Sequence, residues 1–198
     1  MEKFDEYARL TLERNWKGIC ELNGVPYDTF GTRKEINILP NHLQPEEIVF
    51  ALSSGMMSQT ETSNALDFGT NTWLAVLTSE RFLFLDCALL SSSVDVQSVR
   101  HDRVQAVSSS QGWVFGKIMI DLGSRMIVVD NCLKASVGVF SDLGNKWLSV
   151  RVSKASVATH ALVESPLDKL EKLGKLLAAG IVTEDEFNQA KTKILAYL

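Results

Sequence analysis

Along residues 2–22, Phe4, Ala8, Leu12, Trp16 and Ile19 recur at spacings of three and four. That spacing predicts one amphipathic helix, ended by Gly24 and Pro26. Thr32 followed by Glu35 is a capping-box signature leading into Ile36 and Leu39. Pro40 and Pro45 predict that this second helix is short. From Glu47 the pattern changes. The runs IVFALSSGMM, TWLAVLT, RFLFLDCAL, SVDVQSV, VQAVSSS, KIMIDLG and RMIVVDN follow one another, separated by Gly, Ser, Asn and Asp. They are short, rich in β-branched and aromatic residues, and several alternate apolar with polar. Seven such runs predict an antiparallel meander closing into a barrel or sandwich. Only Ser79-Glu80 separates the second from the third, which predicts a tight hairpin.

After Asn131 the helical period returns. Val137, Phe140, Leu143, Trp147, Leu148 and Val150 largely share one face, with Ser136 and Asp142 on polar sides. Gly138 and Gly144 weaken that helix. Residues 151–165 have no strong period and read as a linker. The chain then runs PLDKLEKLGKLLAAGIVTEDEFNQAKTKIL. Gly180 suits the left-handed end of one helix. Thr183 can cap a second, with Glu186 reaching back. Asp185 and Glu186 suit the positive end of that helix, and Lys191 and Lys193 lie toward its negative end. Two helices this short are marginal alone, so their apolar stripe needs burial on something else.

The order of seven strands and one amphipathic helix resembles a pleckstrin-homology-like (PH-like) domain. LQPEEIVFALSSG is similar to the lead-in to the first strand of bacterial, YokE-like PH domains. TWLAVLTSERFLFLD resembles their second and third strands, joined by a Thr-x-x-Arg turn, here Thr78 to Arg81. VQAVSSSQGWVFGKIMIDLGS resembles the next pair. The terminal stretch is similar to the SHOCT domain, a short C-terminal α-hairpin. Leu170, Leu173 and Leu177 match its first stripe, Gly180, Ile181 and Thr183 its turn, and Glu186, Phe187, Lys191 and Leu195 its second helix.

The resemblance implies an α+β chain. A seven-stranded antiparallel PH-like barrel or sandwich over 44–150 is capped by its C-terminal helix. A helical extension over 1–43 precedes it. A linker over 151–164 leads to a SHOCT-like α-hairpin over 165–198.

Charge narrows the function. Residues 1–31 carry four basic and six acidic side chains, 32–164 carry eleven and thirteen, and 165–198 carry five of each. No segment has the basic excess that phosphate binding requires, which argues against a nucleic-acid partner. Cys20, Cys87 and Cys132 are dispersed and odd in number, as reduced thiols of a cytoplasmic protein are. His42, His101 and His160 form no metal-ligand spacing. The start, MEKFDEYARL, lacks the apolar core of a signal peptide. No apolar run is long enough to span a bilayer. The expected compartment is the cytosol.

Candidate chemistry is thin. Cys87 and Cys132 close apolar strand runs and read as packing residues. His101 beside Asp102 reads as a turn histidine, because adjacent strand residues face opposite sides. Glu46-Glu47 and Glu184-Asp185-Glu186 stand where capping or solvation explains them. No Gly-rich phosphate loop occurs. The expectation is a chain without catalytic residues, cofactor or metal.

Classical PH domains that hold phosphoinositides use Lys and Arg on the first hairpin. The corresponding loop, Gly55 to Asn71, has neither and carries Glu61 and Asp67. An anionic headgroup is disfavoured there. Met56, Met57, Leu66 and Phe68 make this loop a candidate for protein contact, unless Leu66 and Phe68 fold back over the barrel end. Gln111 to Phe115 is a second candidate surface, although core is the favoured reading of Trp113 and Phe115.

The functional expectation is a non-catalytic interaction or adaptor protein. SHOCT-like tails imply work by contact, and they occur in phage and mobile-element proteins. Docking or self-association would use Leu170, Leu173, Leu177, Phe187, Ile194 and Leu195. The alternative is a peripheral membrane protein, by analogy with the PH-like fold.

Overall fold

The computed structural model describes residues 3–58, 72–88, 93–162, 166–178 and 183–195, with backbone only at 58, 152–162, 166–169, 176, 178 and 195. Two compact units divide the chain, Met1–Ser149 and Val150–Leu198.

The first unit opens with α1 (Phe4–Leu12), α2 (Trp16–Leu22) and α3 (Arg33–His42). The single stripe expected over 2–22 is therefore broken. Arg14 adopts a left-handed φ of 55°, and Asn15 caps α2 by accepting from the Gly18 N–H at 2.8 Å. The kink turns Tyr7 and Leu10 inward and leaves Leu12 in solvent. α3 begins after Thr32 and runs two residues past Pro40, but the expected capping box is absent. Thr32 Oγ1 instead meets Ser54 Oγ at 2.7 Å. Glu35 Oε1 accepts from the Cys87 N–H at 2.7 Å. Both side chains are buried against the sheet rather than folded back on their own helix.

Seven strands follow: β1 (Val49–Ser58), β2 (Thr72–Thr78), β3 (Arg81–Cys87), β4 (Val94–Arg100), β5 (Ala106–Gln111), β6 (Phe115–Asp121) and β7 (Met126–Leu133). All pair antiparallel in the order β4-β3-β2-β1-β7-β6-β5. Each coincides with one of the apolar runs. β6 alternates exposed and buried over most of its length, as a half-buried strand does. β2 and β3 are buried almost throughout, because α3 packs on their second face and α1 and α2 pack on β1.

β1 meets β7 only from Met56 to Ser58, which leaves backbone groups of its first half to be satisfied elsewhere. The N-terminal helices supply partners. Thr11 Oγ1 accepts from the Val49 N–H at 3.0 Å, and Asn23 Nδ2 donates to the Phe50 carbonyl at 2.8 Å. These helices and the sheet belong to one compact unit.

α4 (Lys134–Leu162) closes the first unit with its N-terminal half. Val137, Phe140, Ser141, Gly144 and Trp147 line its inward face. Phe140 packs on Phe82, and Trp147 packs between Phe50 and Phe4. Ser136, expected on a polar side, is buried and bonds Ser53 Oγ at 3.1 Å. Gly144 permits close approach: a Cβ there would lie 3.1 Å from Val107 Cγ2. The helical backbone continues to Leu162, so most of the stretch read as a linker, 151–162, is α-helical.

In the second unit, α5 (Pro166–Ala178) and α6 (Glu184–Leu195) pack together. The expected capping box is present. Thr183 Oγ1 accepts from the Glu186 N–H at 3.3 Å, and Glu186 Oε2 accepts from the Thr183 N–H at 2.9 Å. Gly180 lies outside the described residues.

Candidate interaction surfaces

The Thr78–Arg81 turn could have been a polar site; its geometry shows a structural one. Thr78 Oγ1 donates to Glu47 Oε1 at 2.6 Å and accepts from the Arg81 N–H at 3.0 Å. Arg81 grips both Glu47 oxygens, at 3.0 and 3.1 Å, and donates to the His42 carbonyl at the end of α3 at 2.7 Å. Trp147 Nε1 donates to the Ser79 carbonyl at 2.8 Å, tying α4 to the same turn. Glu47 is thus not solvated: besides accepting from the Gln44 N–H at 2.7 Å, as a cap does, it is a buried ion-pair partner. Burial raises its pKa, and the hydrogen bonds from Arg81, Gln44 and Thr78 together with the Arg81 charge outweigh that, leaving it below the ordinary value. These bonds tie the turn to Glu47, to the end of α3 and to α4.

His101 sits in a single 3-10 turn, His101–Arg103. Its Nε2 lies 2.8 Å from the Thr78 carbonyl, and its ring meets Phe82 edge-on. Asp102 is exposed and pairs with Arg100. The expected turn histidine is what the geometry contains. Cys20 and Cys132 are buried and Cys87 half-buried. Burial first, and then nearby carboxylates, pushes each thiol up to about 11, which disfavours the reactive thiolate. No group of three or more His, Cys, Asp or Glu suited to a metal ion occurs among the described residues.

The apolar candidates are more distinctive. Met56 and Met57 lie within β1, not in the loop where the sequence reading put them, because the strand runs to Ser58. Leu66 and Phe68 fall outside the described residues. Met56 lines an open groove of about 600 Å³ with Tyr27, Phe30, Gly55, Phe115 and Leu133. Gly55 is required at its floor, where a Cβ would lie 2.6 Å from Cys132 Sγ. Leu170, Leu173, Leu177, Phe187 and Ile194 lie on α5 and α6 and are each partly exposed. Leu195 ends α6, described in backbone only.

Trp113 and Phe115, expected in the core, are exposed by 95% and 52%, and Val114 between them by 54%. They form the tip of the β5–β6 hairpin, closed by the Gly112 N–H donating to the Phe115 carbonyl at 2.8 Å. The sequence held the signal: Gly112 and Gly116 bracket the tripeptide between two strand runs, which marks a turn. Phe30, which no pattern singled out, is 84% exposed.

No described helix is long and apolar enough to cross a membrane. Residues 168–195 match SHOCT, the short C-terminal domain, and residues 43–146 match the Bacterial PH domain family. Two crystal structures are similar at 15% identity. One is the C-terminal domain of an unknown protein from Leishmania infantum, with a TM-score of 0.37, covering 59% of this chain and 94% of that one. The other is a pleckstrin homology domain from Shewanella amazonensis SB2B, with a TM-score of 0.30, covering 50% of this chain and 80% of that one. No curated protein matches the chain. PH-like and SHOCT domains are generally non-enzymatic and typically serve protein interaction. The Bacterial PH domain match spans more than half of the chain, with the seven strands and the start of the closing helix inside it, and the chain belongs to that family.

Proposed function

We propose that this chain is a non-catalytic interaction protein whose C-terminal α-hairpin docks to a partner, in the simplest form a second copy of itself. The observation that supports this reading is the incomplete burial of the hairpin. Among the described side chains of α5 and α6, none is buried, although Leu170, Leu173, Leu177, Phe187 and Ile194 repeat at helical spacing. Helices of 13 and 12 residues gain most of their stability from covering such a stripe. Around the stripe, Glu171 pairs with Lys175 at 2.8 Å, and Lys191 lies over the Phe187 ring.

Full-length Leu173→Glu and Phe187→Ser variants test the reading, because both retain the Thr183–Glu186 cap. Light scattering is expected to give a smaller mass for each variant than for the parent chain at equal concentration. Equal masses would overturn self-association through the hairpin.

A further inference from the structure

We propose a second, independent contact on the first unit: the Trp113 hairpin tip of one copy seats in the Phe30-lined groove of another, reciprocally about a two-fold axis. Knob and hole lie side by side. Phe115 belongs to both, ending the tip turn and lining the groove. A patch that contains a projection and a matching recess is what an isologous dimer needs, since each copy then presents both halves. The groove volume of about 600 Å³ falls in the range of pockets that enclose a bulky group.

Charge and area favour a second copy as the occupant. Among the described residues, Asp28 is the one charged residue lining the groove, and Gly112 to Gly116 carry no charge. Apposing two such patches brings no cluster of like charges together. The same neutrality offers no electrostatic attraction to an anionic bilayer or nucleic acid. Trp113, Val114, Phe115 and Phe30 together expose side-chain surface on the order of 500 Å² per copy, as an aromatic side chain buries about 150–250 Å². Two copies would cover about 1,000 Å², the lower limit of specific interfaces, which predicts a weak and reversible dimer. Trp at the centre of such a patch is the residue type that dominates contact energies.

Iodide quenching of tryptophan fluorescence isolates the contact. Of the four tryptophans, Trp16, Trp73 and Trp147 are buried, so iodide reads Trp113 alone. The full-length Leu173→Glu/Phe187→Ser chain is titrated from micromolar to millimolar, which removes the hairpin contribution. Failure of the hairpin reading therefore leaves this measurement intact. The expected result is that Trp113 becomes shielded as the light-scattering mass doubles. Phe30→Ser, a substitution at an exposed site, should move that shielding to at least tenfold higher concentration. Trp113→Ser should raise the dissociation constant by a similar factor. Trp113 quenched at every concentration would overturn the proposal. Shielding already complete at the lowest concentration while the mass is that of a monomer would also overturn it, by showing cover from within the chain. Shielding that appears only with phosphatidylcholine–phosphatidylglycerol vesicles would overturn it in favour of a lipid surface.

Discussion

Asn145 on α4 completes the free edge of β5 by gripping both backbone groups of Val107. Its Oδ1 accepts from the Val107 N–H at 3.1 Å and its Nδ2 donates to the Val107 carbonyl at 2.5 Å. One side-chain amide thus does the work of a neighbouring strand at that residue. Ser109 Oγ and Ser141 Oγ meet at 3.0 Å one pleat further along. Unpaired edges invite association with other chains, and α4 covers this one. Asn145→Ala should cost about 1–3 kcal/mol for two lost hydrogen bonds. Urea denaturation would measure this, and the Val107 amide should exchange faster in the native state. Unchanged exchange would show that the edge is protected otherwise.

The Glu47–Arg81 pair should give the fold an acid limb. The folded pKa of Glu47 lies below its ordinary value of 4.5. The pair's contribution is therefore present above the unfolded pKa and is lost as pH falls through the folded value. Glu47→Gln leaves Arg81 largely buried and unpaired, and should cost about 3–5 kcal/mol at neutral pH. The variant should also lose less stability than the parent between pH 5 and pH 3, in about the range where carboxylates titrate. Parallel stability curves for the two chains would refute this account.

Thiol reactivity should report folding. With pKa values of about 11, about one native thiol in a thousand is ionised at pH 8. Cys20, Cys87 and Cys132 should react slowly with a disulfide reagent in buffer and promptly in guanidinium. A thiol reacting in the native chain at the rate of free cysteine would contradict the burial described above.

Thr183→Ala should weaken α6 by about 1 kcal/mol through loss of its N-cap. NMR secondary shifts would show fraying over Glu184–Phe187, while Val107 amide protection in the other unit stays constant. Loss of protection at both places would mean that the two units unfold together.

Particular residues show why some of this was legible in the chain and some was not. TWLAVLT and RFLFLD were readable as strands because β-branched and aromatic residues dominate them. Only packing revealed that both of their faces are buried, with α3 supplying the second cover. Thr32–Glu35 and Thr183–Glu186 have the same spacing, yet only the second forms a box. Local capping prevailed on the exposed helix. At Thr32, Ser54 and the Cys87 amide compete for the same side chains. Trp113 was misplaced because hydrophobicity alone does not separate a strand interior from a strand turn.

The sequence by itself determined the seven strands, the closing helix and the capped terminal hairpin, because each is specified by local period, turn chemistry and caps. Tertiary structure decided what those patterns are for. It turned Glu47 from a surface acid into an ion-pair partner, fixed Met56 in a strand beside a groove, and set Trp113 in solvent. Side-chain environment depends on which distant residues arrive next to a position, and local spacing carries no record of them.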